Sequence, residues 1–273
     1  FICLTVQTVS RELGIIGTKA AVTVLAALLP DEKLSHVACY ALEPNPDPSV
    51  GEVLRDALGK LQGRPLLGVI SALGVRRDTE AIAALSVKLA ETDPDVAQAA
   101  ARALGKIGTA AAAQRIQAAL NGPLAGNQVA FCESLFRCAE ALSSQGQRAE
   151  ATVIYDRLRG LTEPHQVRAG GLRGAILTRG KEGWPLLLDA LRGDDWVFVA
   201  AAARTAIEIK DAGLTQVLTA ELPKLKADKQ ILLTQVLGRR GDMAALPALY
   251  AAAQSGDKTV RVAAIRALPE IGH

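Results

Sequence analysis

Apolar positions recur along this chain at helical spacing, in short stripes broken by glycine, proline or aspartate. Val22/Leu25/Leu28/Leu29, Ile82/Leu85/Leu89, Leu186/Leu187/Leu191 and Leu246/Leu249 each trace one side of a helix. Each stripe is followed by a second apolar segment, richer in alanine and closed by a turn signal. The pattern predicts pairs of antiparallel helices, an all-α chain.

The second segments are copies of one another. Ala99 to Gly108 reads AAARALGKIG, and Val262 to Gly272 reads VAAIRALPEIG. Gln235 to Gly241 and Arg11 to Gly17 repeat the tail of the same phrase. Aligned on the residue after the Ala-Leu pair, the anchors are Gly14, Glu43, Gly74, Gly105, Ser143, Ile176, Ile207, Gly238 and Pro269. The steps are 29, 31, 31, 38, 33, 31, 31 and 31 residues. A period of about 31 accommodates two helices of about three turns and two connecting turns. The chain is therefore expected to be an α-solenoid of about nine helical hairpins, one repeat array over residues 1–273.

The columns of this alignment carry different duties. The residue before each anchor (Leu13, Leu42, Leu73, Leu104, Leu142, Ala175, Ala206, Leu237, Leu268) is apolar throughout and predicts core. The sixth residue before the anchor is mostly small, as at Gly68, Ala99, Gly170 and Ala201, and suits close helix approach. Asp47-Pro48 and Asp93-Pro94 place a capping acceptor before a proline at a helix start, and Asp195 and Asp257 stand in the same role. Gly17, Gly108, Gly180, Gly241 and Gly272 are placed to end second helices. Pro223 and Pro247 fall inside helical patterns and predict a kink or a shortened helix. The array is irregular near 121–146, where seven extra residues are expected around Asn121 to Asn127 and in a long second helix.

Composition narrows the chemistry. With 49% hydrophobic but only 3% aromatic residues, the core must be built from Ala, Leu, Val and Ile. A net charge of +3 asks for neither nucleic acid nor a membrane surface. No apolar run reaches the length of a membrane span. Cys3, Cys39, Cys132 and Cys138 form no metal-binding or disulfide spacing and read as small buried residues. They do not fix the compartment. The chain opens at Phe1 directly into a helical pattern and stops at the end of a repeat, so it is expected to be a module of a longer protein.

An Asp-Pro-x-Val start with an Ala-Ala-x-Ala-Leu-Gly-x-Ile-Gly end, best kept in Asp93 to Val96 with Ala100 to Gly108, resembles HEAT repeats. More closely it resembles the short bacterial HEAT-like form first noted in phycobilin lyases. Gln145 to Ala151 with Ile154 to Leu158 is also similar to a tetratricopeptide hairpin. The wording from Leu34-Ser-His36 to Asp78 is similar to repeats of large exported bacterial proteins, which tilts localisation toward an extracytoplasmic one. The resemblance implies a right-handed superhelix whose second helices line the concave side, and most often a role in holding another protein.

One column stands out as a candidate binding face. Three residues before each anchor come Arg11, Tyr40, Ser71, Arg102, Glu140, Arg173, Arg204, Gln235 and Arg266, polar positions in otherwise apolar helices. One turn earlier are Gln7, His36, Leu67, Gln98, Phe136, Ala169, Ala200, Ile231 and Val262. The partner-binding residues are therefore expected to be Arg11, Tyr40, Arg102, Arg173, Arg204 and Arg266, gripping an acidic segment of another protein or domain. The alternative is that each arginine pairs with a neighbouring repeat's carboxylate or is solvated.

Arg76-Arg77, Arg179 and Arg239-Arg240 could extend a basic rim or be solvated turn residues. Trp184 and Trp196 could anchor a partner, or clasp the two helices of one repeat. His36 and Cys39 offer two metal ligands at most, and Arg192-Gly-Asp194 matches an adhesive tripeptide in form only. No nucleophile, phosphate loop or metal motif is present. A non-catalytic scaffold with no cofactor and no metal is expected, with a DNA-glycosylase-like or bilin-lyase-like protein as the alternatives.

Overall fold

In the computed structural model the described residues are Glu12, 17–122, 126–162, 164–254 and 257–272. The first expected copy, with Arg11 and Leu13, and the N-terminal Cys3 lie outside them. The chain divides into two compact units, Phe1–Ile154 and Tyr155–His273.

In the first unit the helices are α1 (Lys19–Leu28), α2 (Ser35–Leu42), α3 (Ser49–Leu58), α4 (Gly63–Val75), α5 (Ile82–Lys88), α6 (Pro94–Ile107), α7 (Ala110–Ala119) and α8 (Gln128–Ser144). Helix α9 (Arg148–Arg159) runs across the division. The second unit continues with α10 (His165–Arg179), α11 (Trp184–Arg192), α12 (Trp196–Glu208), α13 (Ala212–Glu221), α14 (Ala227–Arg240), α15 (Leu246–Gln254) and α16 (Lys258–Ala267). The described residues thus form eight hairpins in which the even-numbered helices are the second members. In each unit these second helices stack directly on one another, α4 on α6 on α8 and α10 on α12 on α14 on α16, with the first helices as an outer layer. This is α-solenoid packing, and among the described residues no strand interrupts it.

The column before the anchors is the core. Leu42, Leu73 and Leu104 in the first unit, and Ala175, Ala206 and Leu237 in the second, are fully buried. The first helices meet them with Leu25, Leu54, Leu85 and Ile116, and with Leu187, Leu218 and Leu249. Asp93 shows how a hairpin turns: its Oδ1 accepts from the Asp95 amide at 2.9 Å, Pro94 follows at the first helical position, and Gly108 ends α6 at φ 69°. Pro223 shortens α13, which gives way to a 3-10 turn at Leu222–Lys224. The kink expected at Pro247 does not occur. Pro247 is the second residue of α15, where a missing N–H costs no helical hydrogen bond.

Register locates the extra residues. A Cβ added to Gly74 would lie 2.7 Å from the Ala103 Cα, and one added to Gly105 would lie 2.9 Å from the Ser134 Cα. Gln98 donates to the Asn127 side chain 29 residues on, the same offset as Gly74 to Ala103 and Gly105 to Ser134. The period therefore runs unbroken into α8, and the surplus is extra helix at its C-terminal end. Phe136, rather than Ser143, is then the structural equivalent of Gly105.

The expected basic rim is in part something else. Arg76 Nη1 donates to the carbonyls of Leu42 (2.9 Å), Glu43 (3.0 Å) and Asn45 (2.6 Å) at the end of the preceding second helix. Arg240 does the same one unit later, reaching the carbonyls of Ala206, Ile209 and Asp211. Both are half-buried clamps on a helix C-terminus, where the last carbonyls lack intrahelical donors. Arg179 pairs with Asp156 at 2.5 Å and also donates to the Ala175 carbonyl. Only Arg77 and Arg239 of the five are exposed.

Cys39, Cys132 and Cys138 are buried free thiols. Burial pushes them up to about 12, 11 and 12 respectively, far from a reactive thiolate.

Candidate functional site

The apolar, buried face of each second helix leaves the opposite side outward, and on α12 a side-chain cap fixes where the helix begins. Asp195 accepts from the Val197 amide at 3.0 Å and from Arg168 Nη2 at 2.5 Å, and Arg168 also lies over the Phe198 ring, 4.7 Å from its centroid. The hydrogen bond from Arg168 holds the Asp195 carboxyl below its ordinary value, partly offset by desolvation and aided by the Val197 amide. With the start of α12 fixed this way, Trp196 projects outward and is 51% exposed. From it, Ala200, Arg204 and Glu208 follow at four-residue steps along one face.

The same stripe exists on the other second helices of this unit. On α10 it is His165, Ala169 and Arg173; on α14, Ala227, Ile231, Gln235 and Arg239; on α16, Lys258, Val262 and Arg266, with Glu270 just beyond the helix. The α14 and α16 stripes line a single open groove of about 680 Å³, which includes Ile231, Gln235, Arg239, Lys258, Val262, Arg266 and Glu270. The expected column and the turn before it therefore do share a surface here, with an apolar strip beside the cations.

The arginines of the column differ in what they touch. Arg173 donates Nε to Glu208 at 2.8 Å and Nη2 to its other carboxylate oxygen. Arg204, Arg239, Lys258 and Arg266 have no carboxylate partner among the described residues. In the first unit Tyr40 is 63% exposed on α2. Ser71 is half-buried, and Arg102 is exposed on α6 with Nη2 3.2 Å from Gln98 Oε1. The register of α8 places Glu133, not Glu140, level with Arg102; both glutamates are exposed. Lys258 was missed by the sequence reading, and Trp196 and Arg239 were weighed there only as a partner anchor and a basic rim, not as members of the column's face. Their signal is simple: they stand four or eight residues from a column position.

The other candidates find structural duties. Trp184 is half-buried, lies close to Gly213 at the start of the next first helix and has Lys181 5.5 Å from its ring centroid. The Arg192-Gly-Asp194 turn is tied inward: Arg192 pairs with the buried Glu221, and buried Lys229 donates to the Arg192 carbonyl at 2.8 Å and to that of Gly193. His36 and His165 are exposed, and among the described residues no three His, Cys, Asp or Glu side chains are grouped to hold a metal. Among them, too, no helix is long and apolar enough to cross a membrane.

A family model described as HEAT repeats matches residues 51–125, from within α3 to just beyond α7. No curated protein matches the chain. Solved structures that match include human deoxyhypusine hydroxylase in complex with glycerol, at 20% identity over 95% of this chain and 98% of that one, TM-score 0.43. The complex of CpcE and CpcF of phycocyanin lyase from a Nostoc species matches at 20% identity over 92% of this chain and 93% of that one, TM-score 0.41. An engineered protein matches at 18% identity over 98% and 95%, TM-score 0.36. These likenesses concern the helical-repeat fold. They do correct one expectation: a hydroxylase and a lyase stand among the matches, so the repeat architecture gives no ground for reading the chain as non-catalytic.

Proposed function

We propose, for a chain whose residues 51–125 match HEAT repeats, that the second-helix face of Tyr155–His273 is a protein-binding groove that captures an acidic segment of another protein or domain. One observation carries this reading. The groove between α14 and α16 holds Arg239, Lys258 and Arg266 without carboxylate partners among the described residues, and Arg204 continues the row. Cations held on rigid helices beside an apolar strip suit carboxylates that arrive with apolar neighbours. Tyr40 and Arg102 occupy the same column in the first unit, and Arg11 belongs to it by sequence. Glu208 and Glu270 alternate with the cations. That alternation suits a protein segment better than an unbroken phosphate backbone, whose affinity would rest on many consecutive contacts.

The test replaces Arg204 and Arg266 with glutamate and measures binding of a fluorescent poly-glutamate peptide. Binding is expected to be lost while the helical circular dichroism is unchanged. Retention of binding by the reversed protein, or a preference of the unaltered protein for a DNA oligomer over the peptide, would overturn the proposal.

A further inference from the structure

We infer that the segment this groove takes is a polyproline-II strand with carboxylates six residues apart, a reading that rests on the groove being a binding face. The spacing follows from the rungs. Arg204, Gln235 and Arg266 stand 31 residues apart on stacked second helices, and packed helices lie about 8–10 Å apart. The groove therefore offers cation, neutral amide, cation at roughly equal intervals.

Only some backbones can answer that pattern from one side. A polyproline-II strand has three residues per turn and rises about 3.1 Å each, so every third side chain returns to the same face after about 9 Å. Residues i, i+3 and i+6 then face Arg204, Gln235 and Arg266 in turn. An extended β-strand advances about 10 Å in three residues too, but its third side chain points to the opposite face. The middle position faces the Gln235 amide and suits a side chain that can exchange hydrogen bonds with it, such as Gln, Asn or Ser; the cation of α14, Arg239, stands one turn further along the helix. The polyproline-II backbone has no internal hydrogen bonds and is already extended, so capture costs it little ordering.

The experiment uses the whole chain and proline-hosted peptides with two glutamates four, five or six residues apart and a central glutamine, read by fluorescence anisotropy. The six-residue spacing is expected to bind at least tenfold more tightly than the other two. Arg204→Gln and Arg266→Gln should each lower its affinity to that of a one-glutamate peptide. Equal affinity at all three spacings, with the arginines still required, overturns the polyproline-II inference and leaves the groove reading standing. Binding that ignores both arginines, or no binding by any acidic peptide, overturns both. A helical peptide with glutamates fourteen residues apart that outbinds the six-spaced strand would likewise overturn the inference while keeping the groove.

Discussion

Arg173 on α10 is neutralised by Glu208, which closes α12: Nε donates at 2.8 Å and Nη2 takes the second oxygen. The two side chains are 52% and 44% exposed. A pair so exposed contributes only about 0–1 kcal/mol to folding. Its greater consequence is for the groove, because Glu208 occupies the cation that would otherwise extend the row beyond Arg204. Glu208→Gln is therefore expected to raise affinity for a poly-glutamate peptide several-fold and to shift the thermal midpoint hardly at all. Titration calorimetry with a parallel melt checks this, and an unchanged affinity would remove Arg173 from the binding face.

Arg240 spends its donors on the carbonyls of Ala206, Ile209 and Asp211 and on the Thr215 hydroxyl. Removing it leaves partly buried acceptors without donors, at about 1–3 kcal/mol for each one that water cannot reach. Arg240→Ala is expected to lower the stability of the second unit by about 3 kcal/mol. Arg240→Lys should recover only part, because one ammonium cannot reproduce the fork of the guanidinium. Both tryptophans, Trp184 and Trp196, lie in this unit, so their fluorescence during denaturant unfolding reports it alone. Full recovery by Arg240→Lys would assign the effect to the stem and its charge rather than to the guanidinium fork.

The clamp also marks where sequence reading stops. Leu104 and Gly108 could be sorted into core and helix end from period alone, because each duty depends on position within one repeat. Arg76 and Arg240 could not, since their acceptors lie in the preceding repeat, 29 to 34 residues away. A basic dipeptide at a turn looks the same whether it is solvated or caps a helix. The groove was half legible for the same reason. The stripe Arg204 to Trp196 is a matter of helical spacing, whereas pairing of Arg173 with Glu208 depends on how two helices meet. The Ala-Leu alignment also misplaced one rung. The Glu140-Ala-Leu142 phrase in α8 lies two turns beyond the level of Arg102, which the contacts of Gly105 with Ser134 and of Gln98 with Asn127 reveal.

Gly105 tests that register directly. Its added Cβ would meet Ser134 Cα at 2.9 Å and the Ser134 carbonyl oxygen at 3.0 Å, both backbone atoms that cannot step aside. Gly105→Ala is expected to cost about 1–3 kcal/mol through overpacking. Gly59 is the internal control. It has φ −84°, and its nearest obstacle is the Asp56 carbonyl at 3.8 Å. There alanine should stabilise, by about 0.4–1 kcal/mol, by restricting the unfolded chain. Hydrogen exchange in α6 and α8 distinguishes the two, and a neutral Gly105→Ala would refute the close approach.

Glu221 supplies a pH dependence whose sign can be worked out. Its side chain is only 3% exposed, yet Arg192 reaches it with Nε and Nη2, both at 2.7 Å, and Lys224 stands 3.3 Å away. The hydrogen bonds from Arg192 lower its pKa below the ordinary 4.5; desolvation opposes them, and Lys224 assists. A carboxylate whose folded value lies below its unfolded value stabilises the fold above the unfolded value and loses that contribution as pH falls through the folded one. Arg192 is itself 47% exposed, so the pair is worth less than a fully buried one, and about 1–3 kcal/mol is expected. Glu221→Gln should therefore destabilise the second unit at pH 7, and the gap from the unaltered protein should close as pH is lowered to about 3. Tryptophan-detected unfolding across that range measures the gap. A gap that stays constant from pH 7 to pH 3 would show that Glu221 acts through shape rather than charge.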